Sequence, residues 1–98
     1  MRIDQWIEIE AFCEHHDIEF SFINALQEVG LLQVVTIEER LVIPTESLAE
    51  VEKMIRLHYD LGINLEGIDV VINLLHKLKM MQREINSLRN RLSLYEEL

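Results

Sequence analysis

From Leu65 to Leu98 the chain has no proline and a single glycine, Gly67, so one uninterrupted helix of roughly 30 residues is the simplest reading. Within it Val71, Leu74, Leu78, Met81, Ile85, Leu88, Leu92 and Tyr95 alternate steps of three and four, which is a heptad a/d seam. At about 1.5 Å rise per residue, the distal half of such a helix runs beyond any core that the rest of a 98-residue chain can build. Two arrangements remain: the helix folds back on its own domain, or it pairs with a second helix. Pairing is expected, as a homodimer with Leu78, Met81, Ile85, Leu88, Leu92 and Tyr95 as the self-association seam. A parallel pair sets Glu84 against Arg89 and Arg91 against Glu96 of the partner copy, while an antiparallel pair sets Glu84 near Arg91. Both remain open.

The residues before this helix carry a different pattern. Residues Arg2 to Ile7 alternate Ile3, Gln5 and Ile7 with Arg2, Asp4 and Trp6, as a short strand does. From Glu8, the spacing of Ile9, Phe12 and Cys13 is helical for about two turns, ending near His16. Asp17 suits the turn, because Asp tolerates left-handed backbone angles. A second helix starts near Glu19, carries the stripe Phe22, Ile23, Leu26 and Val29, and stops at Gly30.

Then Leu32 to Ile37 and Arg40 to Ile43 flank Glu38-Glu39 as a β-hairpin, which Pro44 ends. Thr45 is placed to cap a third helix, with Ser47 a competing cap. Leu48, Val51, Ile55, His58 and Tyr59 continue that helix to Gly62, and Asn64 caps the last one. The expected division is a helix-turn-helix with a wing and a following helix over residues 1–63, then the long helix over 64–98. The fold class is mainly α, with a short hairpin wing and a C-terminal coiled-coil helix.

Charge limits the partners. From Met1 to Glu52 only Arg2 and Arg40 are cationic against twelve carboxylates, a formal −10, whereas the remainder carries +1. Nucleic-acid binding gains affinity by setting Lys and Arg on phosphates, so a duplex repels this half of the chain and a basic partner is drawn to it. DNA is not expected as a ligand. No apolar run approaches the roughly 18 residues that span a bilayer, and Met1 to Gln5 lack signal-peptide organisation, so the expected place is the cytoplasm, off the membrane. The single cysteine, Cys13, fits a reducing compartment.

The segment from Ile55 to Ile68, Ile55-Arg56-Leu57-His58-Tyr59-Asp60-Leu61-Gly62-Ile63-Asn64-Leu65-Glu66-Gly67-Ile68, resembles the DNA-binding domain of MerR-family regulators, where one helix ends in Leu-Gly and the next begins Leu-Glu-x-Ile. Gln27-Glu28-Val29-Gly30-Leu31-Leu32 is similar to that family's second-helix ending. Over nearly its whole length the chain looks most like chaperone modulators of the CbpM type, on Ile9-Glu10-Ala11-Phe12-Cys13-Glu14-His15, on Leu65 to Ile68 and on the tail Leu88-Arg89-Asn90-Arg91-Leu92. That resemblance implies binding to the J-domain of a CbpA/DnaJ-type co-chaperone and restraint of its activity; the alternative is a MerR-type DNA-binding transcriptional regulator. One departure favours the first. DNA-binding members carry Arg and Tyr on the second helix and a basic wing, whereas here Ser21 to Gln27 has no cation and the hairpin tip is Glu38-Glu39-Arg40. J-domains as a family present a basic helix to Hsp70, which an acidic face complements.

Glu10, Glu14, Asp17, Glu19, Phe20 and Glu28 are the candidate partner-binding residues. The acidic ones read equally well as a solvated face, and one of Phe20 and Phe22 belongs in the core. Cys13, His15 and His16 invite a metal reading, but Cys13 and His15 stand about 200° apart on a helix; a buried cysteine with surface histidines is expected instead. His58 and His76 read as ordinary helix positions. There is no Gly-rich phosphate loop, His-x-x-x-His pair or Gly-x-Ser-x-Gly elbow, so neither catalysis, cofactor nor metal is expected.

Overall fold

A computed structural model describes residues 5–97. The chain runs β1 (Trp6–Glu8), α1 (Ile9–His16), α2 (Phe20–Glu28), β2 (Val35–Ile37), β3 (Arg40–Pro44), a 3₁₀ turn (Thr45–Ser47), α3 (Leu48–Ile55), a π-helical turn (Arg56–Asp60) and α4 (Leu65–Glu96). Mainly α, with a three-stranded antiparallel sheet and a long C-terminal helix, this is the expected class. Arg2 to Asp4 of the expected first strand lie outside the described residues. The described part of that strand begins at Trp6 and runs on to Glu8.

The two short helices end as their sequences require. Asp17 takes φ 52°, with its N–H donating to the Glu14 carbonyl and that of Ile18 to the Cys13 carbonyl. Gly30 takes φ 82°, with N–H bonds from Gly30 to Gln27 and from Leu31 to Leu26. Both are Schellman closures, which satisfy helix-end carbonyls and reverse the chain sharply. Glycine adopts this backbone without strain, and Asp is among the few other residues that do so readily.

β3 is the middle strand, pairing Ile43 with Ile7 and Val42 with Val35. Adjacent residues of a strand point to opposite faces, so burial of both Val42 and Ile43 means that this strand is covered on both sides. Ile37 and Arg40 close the hairpin around Glu38 and Glu39, which take φ 50° and 65°. Positive φ at both central positions is the type I′ pattern, which favours Asn-Gly and strains other side chains. Glu39→Gly is accordingly expected to stabilise the first unit by about 1 kcal/mol, seen as a rise of several degrees in thermal midpoint.

The chain divides into two compact units, the first ending at Leu65 and the second starting at Glu66. In the first, Ile9, Phe12, Phe22, Ile23, Leu26, Leu32, Val42, Ile43, Val51 and Met54 form the core. Three expectations need correction there. Val29, expected in the buried stripe of α2, is exposed, because it follows the last helical residue and leaves the 3.6-residue period. Cys13 is half-buried rather than core. Neither Thr45 nor Ser47 caps α3: Thr45 lies inside the 3₁₀ turn, and Ser47, at φ −84° and ψ −10°, lacks the extended backbone from which a side chain reaches the next turn.

The second unit is α4, about 48 Å long at about 1.5 Å per residue. Its seam residues from Leu74 to Tyr95 are all exposed. No helix among the described residues is long and apolar enough to cross a membrane.

Candidate functional site

α1 turns Glu10 and Glu14 outward, one helical turn apart on the same face, because Ile9 and Phe12 are drawn into the core. Phe20 opens α2 two positions before Phe22. Residues two apart on a helix diverge by about 200°, so with Phe22 buried at 6% exposure, Phe20 faces solvent at 47%. The wing brings in Glu39 and Leu41; Leu41 pairs with the exposed Thr36 and shares its outward face. Together with Glu8, Ala11, Cys13 and Arg40, these residues line an open groove of about 950 Å³ within the first unit.

The groove lining mixes apolar side chains, among them Ala11, Phe20 and Leu41, with the carboxylates of Glu8, Glu10, Glu14 and Glu39. Arg40 is the only cation among the described residues up to Glu52, and its Nη1 donates to Glu8 Oε2 at 3.1 Å. Exposed pairs of this kind contribute at most about 1 kcal/mol, so the bond holds the wing tip only weakly. Among the described residues it leaves the groove no second Lys or Arg to set against Glu10, Glu14 and Glu39. Desolvation by burial raises the Cys13 thiol above its ordinary value, which lowers its thiolate fraction and its reactivity.

Of the acidic residues expected at a docking surface, only Glu10 and Glu14 line the groove, and the expected Phe20 lines it with them. Asp17 is the left-handed closure of α1. Glu19 accepts a hydrogen bond from Ser21 Oγ at 3.1 Å, and Glu28 one from Asn24 Nδ2 at 3.3 Å. Those three lie outside the groove. Glu39 and Leu41 were missing from the expected set. The only sequence signal for them is the Glu38-Glu39 hairpin tip, which says that a turn is there but not what it faces.

A second cluster corrects the reading of His58 as an ordinary helix position. Its ring stacks on Phe22 with centroids 4.7 Å apart and planes at 19°, and Tyr59 meets Phe22 edge-on at 5.4 Å. His58 Nδ1 lies 2.9 Å from the Ile63 carbonyl; that oxygen only accepts, so Nδ1 carries the proton. The π-helical turn places the ring there, and its wider winding shows in Leu61 N–H bonding five residues back, to Arg56. The cluster ties α2 to the π-helical turn that follows α3.

His15 is exposed and His16 half-buried. The His16 ring lies 4.3 Å from that of Phe12, and its Nε2 is 3.9 Å from Glu52 Oε1. No group of three His, Cys, Asp or Glu among the described residues is arranged to hold a metal ion. On α2, the exposed side chains Ser21, Asn24, Gln27 and Glu28 offer no cation to a phosphate.

Residues 7–90 match the family described as MerR HTH family regulatory protein. No curated protein and no solved structure matches the chain.

Proposed function

The chain belongs to the MerR HTH family of regulatory proteins, and we propose that it is a non-enzymatic chaperone modulator of the CbpM type, which docks on the J-domain of a CbpA/DnaJ-like co-chaperone and restrains it. The observation that carries the reading is the charge of its helix-turn-helix and wing. Where a DNA-binding relative needs cations, the described residues up to Glu52 offer one, Arg40, and it is bonded to Glu8. An acidic surface of this kind steers a basic partner inward, and covering the basic helix of a J-domain denies it to Hsp70. The exposed seam of α4 supports a homodimer.

Titration against the isolated J-domain of the same organism's DnaJ-type co-chaperone tests this. Calorimetry is expected to show saturable binding that weakens about tenfold between low and moderate salt, as electrostatic steering is screened. A labelled DNA duplex is expected to remain unshifted even at low salt. Duplex binding that weakens with salt, with no affinity for the J-domain, replaces this reading with a transcriptional regulator.

A further inference from the structure

We infer that the groove lined by Glu10, Glu14, Glu39, Phe20 and Leu41 is itself the docking site, and that its occupant is a basic amphipathic helix that sets an apolar side chain against Phe20 and Leu41. The inference deepens the protein-docking reading above and rests on it for the identity of the natural partner. Phe20 and Leu41 are large apolar side chains at 47% and 42% exposure, brought together from the start of α2 and from the wing. They supply the anchor that acidic residues alone lack, since affinity concentrates in desolvated apolar contacts ringed by polar ones.

The lining selects the partner's charge. Among the described residues its only Lys or Arg is Arg40, which is bonded to Glu8, against the three further carboxylates Glu10, Glu14 and Glu39. An acidic or neutral helix would bury them unpaired, at a cost, whereas Lys or Arg one turn on either side of an apolar anchor meets them. The remaining acidic positions of the helix-turn-helix, Asp17, Glu19 and Glu28, lie outside the groove and are spectators.

Two double variants of the full chain with equal change in net charge separate this from a diffuse electrostatic surface: Glu10→Lys with Glu39→Lys inside the groove, and Glu28→Lys with Glu46→Lys outside it. All four positions are exposed, so both are expected to fold, which circular dichroism checks. The probes are the J-domain and a synthetic lysine–leucine amphipathic helical peptide, each titrated by calorimetry. The groove variant is expected to weaken binding of both probes about thirtyfold, the outer variant less than about threefold. Phe20→Ala is expected to weaken both about tenfold with little change in salt dependence, as loss of an apolar anchor does.

Groove-dependent binding of the peptide without binding of the J-domain upholds the docking site and removes the J-domain reading. A J-domain bound equally well by wild type and groove variant, or weakened equally by both double variants, overturns the docking site and leaves that reading standing. Binding of neither probe overturns the site.

Discussion

Leu26→Ala is expected to remove about 3 kcal/mol of stability and to lower the thermal midpoint by roughly 15 °C. Leu26 is fully buried, at 0% exposure, on the inner face of α2 beside Phe22 and Ile23. Its carbonyl also accepts the 2.9 Å bond from Leu31 N–H that closes the helix. Alanine preserves that backbone bond, so the loss is one of packing: apolar contacts vanish and a cavity remains that the neighbouring elements fill only in part. For a domain this small, whose whole stability is of the order of 5–10 kcal/mol, the loss is a large fraction. Urea unfolding reads it directly. An unchanged slope with a lower midpoint is the expected signature, and a cost below about 1 kcal/mol would mean that α2 does not occupy the centre of the core.

The second large effect lies at the other end of the chain. Ile85→Lys with Leu88→Lys is expected to turn a dimer into a monomer, weakening self-association about a thousandfold as measured by sedimentation over a range of concentrations. Ile85 and Leu88 are 42% and 54% exposed in the single chain, so the substitutions remove nothing from either unit's own core. In a symmetric pair each substitution counts twice and sets an ammonium where an apolar side chain would be buried. The distal part of α4 is then expected to lose helix content, because an isolated helix with an exposed apolar stripe has little to hold it. A wild-type chain that sediments as a monomer at high concentration, with full helicity, would leave the seam without this role.

Much of the architecture was legible because its signals are local. Gly30 and Asp17 end helices by backbone preference, whatever surrounds them, and the expected ends agree with the observed ones. The seam of α4 is a repeat and is visible without any knowledge of what covers it. Errors arose where a partner decides. His58 looked like one helical residue among others, yet its position depends on Phe22, thirty-six positions earlier, and on a π-helical turn that no residue pattern announces. Helical spacing alone puts Cys13 and Val29 in the core, but a period does not say where the neighbouring element stops covering a face, as at Cys13, or where the helix itself ends, as at Val29.

The candidate site divides along the same line. Composition determined its sign, since twelve carboxylates before Lys53, against two cations, make that half of the chain acidic as a whole. Helical geometry determined that either Phe20 or Phe22 faces solvent, because residues two apart cannot both point inward. Only the tertiary structure decided which one, and which of the acidic residues stand together, for the packing of the first unit sets Glu39 and Leu41 of the wing in one groove lining with Phe20 and leaves Glu28 outside. Charge and periodicity are properties of single residues and short windows and survive in the bare sequence; a groove is a coincidence of elements distant along the chain and exists only once they have packed.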